Sequence, residues 1–275
     1  MTILVTGATG NVGRAVVAQL LGAGRAVRAV TRTPATANLP AGVEVVRGDL
    51  ADLPAEAFAG VERMFLFPAN ANQAVETAVR AGVRRIVVLS SMALDDATDD
   101  TGPAGYHHAE ELVAERAVRA SGLEWTIVRP GEFMANALGW ADAIRAGEVV
   151  RAPSGAVPGM PVDEIDTAAV AVTALLEDGH SGEIYEVTGP ELITPAEQAR
   201  VIGEVIGREV GFVALSEEET AEYWRNLGVP QDMIDWFTSL EQTATEPLKT
   251  VENVVGRPGS PFSAWAQRHA DAFRR

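Results

Sequence analysis

The stretch Thr6-Gly7-Ala8-Thr9-Gly10-Asn11-Val12-Gly13 decides the fold. It follows an apolar run, Ile3-Leu4-Val5. It opens a helical pattern in which Val12, Ala15, Val16, Gln19 and Leu20 recur at helical spacing, closed by Gly22 and Gly24. Strand, glycine turn and helix in that order form the context of a dinucleotide site, here with the spacing G-x-x-G-x-x-G rather than G-x-G-x-x-G. The glycines have different duties. Gly7 allows the tight turn, Gly10 lets the backbone approach a pyrophosphate, and Gly13 lets helix and strand pack closely. With Thr9, Asn11 and Val12 they are the first cofactor-binding candidates. The N–H groups at the helix start face a diphosphate, and the helix dipole favours its charge.

Outward from that turn, strand and helix patterns alternate, which predicts a doubly wound α/β fold with a parallel sheet and helices on both faces. Strands are expected at Ala26–Thr31, Val43–Arg47, Met64–Phe67, Arg85–Leu89 and Trp125–Val128. Helices are expected at about 54–59, 71–81 and 106–120. Beyond 131 the rhythm changes. A helix near 133–146 precedes a loop rich in Gly and Pro at 152–161. Asp166 caps a helix running to about 177, and Glu183–Val187 is a further strand. Thr194 with Glu197, and Ser216 with Glu219, carry the capping-box signature. Residues 1–131 are therefore assigned to a nucleotide-binding domain of the Rossmann type. Residues 132–275 form a smaller C-terminal α/β cap that binds substrate, with about 162–188 returning to the core of the first.

The 275 residues carry 38 Asp and Glu against 22 Lys and Arg, a net charge of −16. That balance argues against nucleic acid or an anionic membrane as partner, since both need a cationic face. There is no cysteine, which rules out a disulfide, a thiolate nucleophile or a Cys-based metal site. No stretch reaches transmembrane length and no signal peptide is visible, so a cytoplasmic protein, monomeric or homodimeric, is expected. No metal is expected either.

The strand that ends at Thr31 has no acidic residue between Val27 and Pro34 to hold a ribose 2′-OH. Arg32 stands there, and a guanidinium can clamp a 2′-phosphate. NADP(H) is accordingly expected in preference to NAD(H). Asp49, ahead of Leu50, either hydrogen-bonds the adenine amino group or caps the next segment. Phe67-Pro68-Ala69 ends a strand beside the switch point, where ligands of open α/β sheets bind. The nicotinamide half passes Ser90-Ser91 and Pro130-Gly131.

Taken together, Thr6-Gly-Ala-Thr-Gly-x-x-Gly13, Gly48-Asp49-Leu50, Leu89-Ser90-Ser91 and Arg129-Pro130-Gly131-x-Phe133-Met134-x-Asn136 resemble the NmrA-like branch of the atypical short-chain dehydrogenase/reductases. Val187-Thr188-Gly189-Pro190-Glu191 and Gly256-Arg257-Pro258 continue the likeness almost to the end of the chain. The resemblance implies a Rossmann domain, a small C-terminal part and NADP(H) binding. The family includes quinone and dye reductases, natural-product tailoring enzymes and redox-sensing regulators.

The larger superfamily protonates the forming alkoxide with a Ser, a Tyr and a Lys in Tyr-x-x-x-Lys. Four residues after Tyr106 stands Glu110. In the register set from Ser121-Gly122-Leu123, His107 takes the Tyr position and Glu111 the Lys position, while Met92 falls near the Ser. His107 and Tyr106 are the proton-donor candidates, since a histidine near its ordinary pKa donates at neutral pH. The substrate lining is apolar: Met92, Phe133, Met134, Trp140 and Met160, with Asn136 as the polar member. The expected function is an NADPH-dependent reductase of a hydrophobic conjugated carbonyl or quinone-like small molecule. The alternatives are an NADP(H)-binding redox sensor without turnover, or a tailoring ketoreductase, epimerase or dehydratase.

Overall fold

Apolar strand runs such as Arg85-Ile86-Val87-Val88-Leu89 can be buried on both faces only between two layers of helix. The computed structural model, which describes residues 1–94, 108–153, 158–239 and 246–274, shows that arrangement. Seven strands are involved: β1 (Thr2–Val5), β2 (Ala26–Thr31), β3 (Val43–Arg47), β4 (Val61–Leu66), β5 (Arg85–Leu89), β6 (Glu124–Pro130) and β7 (Glu183–Val187). They form one sheet in the order β3-β2-β1-β4-β5-β6-β7, and every pairing is parallel. The order reverses between β1 and β4, so the carboxyl ends of these strands form the switch point.

Side chains alternate across each strand. Leu4, Met64, Leu66, Ile86, Val88 and Ile127 share one face, packed on Ala74, Val75 and Ala78 of α2 (Ala71–Ala81) and Ala114 and Val118 of α3 (Ala109–Ala120). Ile3, Val5, Phe65 and Val87 project from the opposite face and are equally buried. There α1 (Asn11–Gly22) packs against α4 (Glu164–Leu176). Helix α4 is rich in alanine and buried almost all round, as a helix wedged between a sheet and other helices must be.

The chain divides into two compact units. The first, Met1–Gly131 with Glu164–Val187 and Thr250–Arg257, is the sheet domain. The second comprises Glu132–Asp163, Thr188–Lys249 and Pro258–Arg275. Its core sets Met134, Ile144 and Ile202 around Phe262, Trp265 and Phe273. Val150–Ala152 and Phe212–Ala214 pair there as a short parallel ladder, which the sequence pattern does not indicate. Three residues are too few for an alternation to register.

Several element bounds differ from the sequence pattern. β4 starts at Val61 and leaves Phe67 outside; exposed Glu62 and half-buried Arg63 precede its buried run Met64-Phe65-Leu66. β6 continues through Arg129 and Pro130, a proline being tolerated as the last residue of a strand. The expected helix at 54–59 is a 3-10 turn, Ala55–Phe58, and that at 133–146 divides into a 3-10 segment, Met134–Trp140, and a short α-helix, Ala141–Ala146. Asp166 does not cap α4. The helix begins two residues earlier, and Asp166 lies within its first turn, buried and 2.7 Å from Arg257.

Both capping boxes form. At Thr194, the hydroxyl accepts the Glu197 backbone N–H at 3.1 Å, and the Glu197 carboxylate accepts the Thr194 N–H at 2.8 Å, opening the helix Pro195–Ile206. The Thr194 backbone N–H bond, helped by the hydroxyl, holds the Glu197 carboxyl below its ordinary range. Its contribution is therefore present above the ordinary glutamate pKa and is lost as pH falls through the lowered one. Thr194→Ala is expected to cost about 1 kcal/mol at neutral pH, with a smaller difference from the wild type in acid, read by urea unfolding at two pH values.

Candidate functional site

The glycine turn leaves β1 at the switch point. Thr6 ties the two strand ends together there. Its hydroxyl donates to the Phe65 carbonyl at 3.2 Å and accepts the Phe67 N–H at 2.8 Å. Gly7 then turns at φ +61°, and a Cβ on it would lie 2.9 Å from the Phe67 Cβ. A Cβ on Gly13 would meet the Gly7 carbonyl oxygen at 2.1 Å, so the first helical turn sits directly on the loop. Gly10 differs. Its backbone is extended (φ −80°, ψ 173°), and an added Cβ would find only the Gly7 oxygen, at 3.4 Å. The fold has no need of glycine at this position, whereas a ligand approaching the backbone has.

The N-terminus of α1 carries no side-chain cap and no acidic residue in its first turn. The first intrahelical bond there runs from the Arg14 N–H to the Gly10 carbonyl at 2.9 Å. The N–H groups of Asn11, Val12 and Gly13 therefore point out of the helix end without a backbone acceptor, a cradle that fits a diphosphate. Thr9, Gly10 and Asn11 are exposed around it, and Val12 is buried behind it.

Arg32 follows β2 directly and is exposed. Among the described residues it has no ion pair or side-chain hydrogen bond, which leaves its fork available to a phosphate. Asp49 is exposed, with one carboxylate oxygen accepting the Ala51 N–H at 2.9 Å. That bond is the local capping role, and the other oxygen carries no such constraint. Leu50 is half-buried against the sheet core. Phe67 is 37% exposed, Pro68 is buried and Ala69 half-buried beside the Gly7 turn.

On the other side of the switch point the polar groups are satisfied internally. Ser90 is buried, and its hydroxyl donates to Glu115 at 2.6 Å. Glu115, in α3, also receives two bonds from Arg129 of β6, at 2.9 and 2.8 Å. Carboxylate and guanidinium are both about 4% exposed. The sequence pattern does not single out this pair, although a charged residue directly after Ile127-Val128 on a buried strand demands a partner. Met92 is half-buried. Its N–H bonds the Pro130 carbonyl at 3.0 Å, and its sulfur lies 3.4 Å from where a Gly131 Cβ would be. His107 and Tyr106 lie outside the described residues. His108, at the N-cap position of α3 but with no capping bond from its side chain, has Nδ1 4.0 Å from the Glu111 carboxylate.

The other substrate candidates belong to the second unit. Phe133 is half-buried and bridges to Val162 through the backbone. Asn136 is exposed and hydrogen-bonded to Glu132. Glu132 keeps access to the surface, yet the protein surrounding it raises its carboxyl above the ordinary range, and the Asn136 bond opposes that only in part. Met160 is half-buried and fixed through its carbonyl, which accepts the Gly189 N–H at 3.0 Å. Trp140 packs edge-on to Phe212 at 6.2 Å. Met134, expected in the lining, is instead 1% exposed inside the unit's core. Among the described residues no His, Asp and Glu group is arranged to hold a metal, and no helix is long and apolar enough to cross a membrane.

Sheet order, switch point and glycine turn define a Rossmann-like α/β protein. The model of the NmrA-like family matches residues 1–260, and the chain belongs to that family. It is 40% identical to a (4-alkanoyl-5-oxo-2,5-dihydrofuran-3-yl)methyl phosphate reductase of Streptomyces griseus, over 98% of this chain and 99% of that one. It is 35% identical to an NAD(P)H azoreductase of Xenophilus azovorans, again over 98% and 99%. Among solved structures, the NADPH-dependent quinone oxidoreductase of Escherichia coli complexed with NADPH superposes with a TM-score of 0.75 at 26% identity, over 97% of this chain and 99% of that one.

Proposed function

We propose that this chain is an NADPH-dependent reductase acting on hydrophobic, conjugated carbonyl or quinone-like small molecules. The observation that carries the reading is the uncapped N-terminus of α1 with the Arg32 fork, unpaired among the described residues, at the end of the neighbouring strand, a diphosphate cradle and a phosphate clamp on one domain. The reductase activity is supported by the relatives named above, which match along nearly the whole chain.

In this reading Asn11, Val12 and Gly13 bind the diphosphate through backbone N–H groups, with Gly10 allowing close approach. Arg32 clamps the 2′-phosphate, Asp49 receives the adenine amino group, and Phe67, Pro68 and Ala69 border the dinucleotide. NADPH, when bound, supplies a hydride. Phe133, Asn136, Trp140 and Met160 make the second unit the substrate-binding portion, and Met92, in the first unit, is a further apolar substrate candidate. A quinone or conjugated enone delocalises the charge left by hydride addition, so proton delivery is undemanding. His107 or Tyr106 supplies the proton in this proposal.

The test mixes the protein with NADPH and a panel of quinones, azo dyes and conjugated enones, and follows reduced-nicotinamide absorbance. Oxidation that depends on one substrate class supports the reading. Tight NADPH binding with no oxidation by any member would make the chain a sensor instead. Loss of turnover in His107→Ala with retention in Tyr106→Phe names the donor. Arg32→Ala is expected to weaken NADPH by roughly ten- to a hundredfold, one or two charge-assisted hydrogen bonds, with little effect on NADH. Equal loss of both cofactors would refute the clamp.

A further inference from the structure

Arg14 has the exposure of a solvated surface arginine, but each of its three guanidinium nitrogens donates to a backbone carbonyl. Nε donates to the Thr9 carbonyl at 3.0 Å, Nη1 to the Asn38 carbonyl at 2.9 Å and Nη2 to the Ala37 carbonyl at 2.8 Å. Thr9 lies inside the glycine turn. Ala37 and Asn38 end the segment that leaves β2 through Arg32. Apart from the Arg14 bonds and the buried Ala37 side chain, its far end is fixed, among the described residues, only by a 3-10 turn at Pro34–Thr36 and a weak Thr36 hydroxyl bond to the Thr33 carbonyl at 3.4 Å, with Asn38 in the left-handed region at φ +46°. At its near end the Thr33 N–H bonds the Thr31 hydroxyl at 3.3 Å. Arg32 therefore stands on a short arch anchored by β2 on one side and by Arg14 on the other.

We propose that Arg14 is a positioning residue for cofactor choice: it locks the Arg32 arch to the diphosphate turn, so 2′-phosphate recognition depends on Arg14 without contact between the two. The inference rests on the NADPH reading above. A planar fork joins three carbonyls that a single ammonium group cannot reach together, so lysine is a poor substitute. In the NADPH reading the arch meets the cofactor through Arg32 alone, and the Gly10 N–H to Gly7 carbonyl bond at 3.0 Å holds the diphosphate turn without Arg14, so the effect falls mainly on the phosphorylated cofactor.

The experiment measures dissociation constants for NADPH and NADH by titration calorimetry in wild type, Arg14→Ala, Arg14→Lys, Arg32→Ala and the Arg14→Ala/Arg32→Ala double variant. Amide hydrogen exchange across 32–40 is followed in the cofactor-free proteins. Both Arg14 variants are expected to weaken NADPH about tenfold while NADH changes less than about twofold, and to speed exchange in the arch. Adding Arg14→Ala to Arg32→Ala should bring no further loss of NADPH, since the two act through one element. Wild-type NADPH affinity in Arg14→Lys would mean a direct charge contact and overturn the proposal. Equal weakening of NADPH and NADH would reduce Arg14 to a structural residue and overturn it as well. A wild-type protein that binds both cofactors equally would sink the NADPH reading first, and the inference with it.

Discussion

Gly13→Ala is expected to lose cofactor binding and stability together, whereas Gly10→Ala loses binding alone. The added methyl at 13 lands 2.1 Å from the Gly7 carbonyl oxygen, 2.7 Å from its carbon and 3.0 Å from the Ala8 Cα. All three are backbone atoms of a turn that is itself pinned. The Gly10 N–H holds the Gly7 oxygen at 3.0 Å, and Thr6 holds β1 to β4. No rotamer relieves such a clash. The helix start must separate from the loop, at a cost typical of overpacking, about 1–3 kcal/mol. In the proposed mode of binding, the N–H groups of Asn11, Val12 and Gly13 then move off the diphosphate, each lost contact weakening NADPH by roughly ten- to a hundredfold. At Gly10 the corresponding methyl meets one oxygen at an ordinary 3.4 Å, in a backbone conformation any residue adopts. It obstructs only what approaches from outside. Thermal unfolding without cofactor, paired with NADPH titration, separates the two. Equal Tm shifts in both variants would contradict this account of the turn.

Glu115→Ala is expected to destabilise the sheet domain strongly. It removes the Glu115 carboxylate from Arg129, whose guanidinium is 4% exposed, and from the buried Ser90 hydroxyl. Breaking a buried pair from one side typically costs about 3–5 kcal/mol, because a charge stays behind in a place water does not reach. Against a total stability of roughly 5–15 kcal/mol that is a large share. Arg119→Ala is the control. It removes a second partner of the same carboxylate, at 3.4 Å, and a cation–π contact with Trp125, but the side chain is 37% exposed. About 1 kcal/mol is expected there. Urea unfolding followed by tryptophan fluorescence gives both values, and similar losses in the two variants would show that burial does not control this network.

Much of the sheet domain is legible in the chain because its signals are local. The runs 26–31, 43–47, 85–89 and 183–187 are strands within the bounds their composition suggests, and 71–81 is a helix ended by Gly82 in the left-handed conformation. The glycine turn is legible for the same reason: strand, turn and helix are neighbours in sequence. The family resemblance, carried by motifs from Thr6 to Pro258, agrees with the match over residues 1–260. What escaped the pattern is short or non-local. The three-residue ladder of the second unit has no periodicity to read. The placement of Met134 depends on which side of a 3-10 segment meets the core, and the helical repeat does not specify that.

The candidate site divides along the same line. Sequence alone determined the glycine turn, since the placing of Gly7, Gly10 and Gly13 between a strand and a helix follows from spacing and residue type, and it determined that Arg32 rather than an acid follows β2. Only the tertiary structure decided what surrounds them. Arg14 joins the turn to a segment 24 residues away, and Ser90, Glu115 and Arg129 close a buried network across α3, β5 and β6. The physical reason is that a backbone turn is specified by conformational preference within a few residues. A charged side chain chooses its partner by where the folded chain leaves a carbonyl or carboxylate out of reach of water.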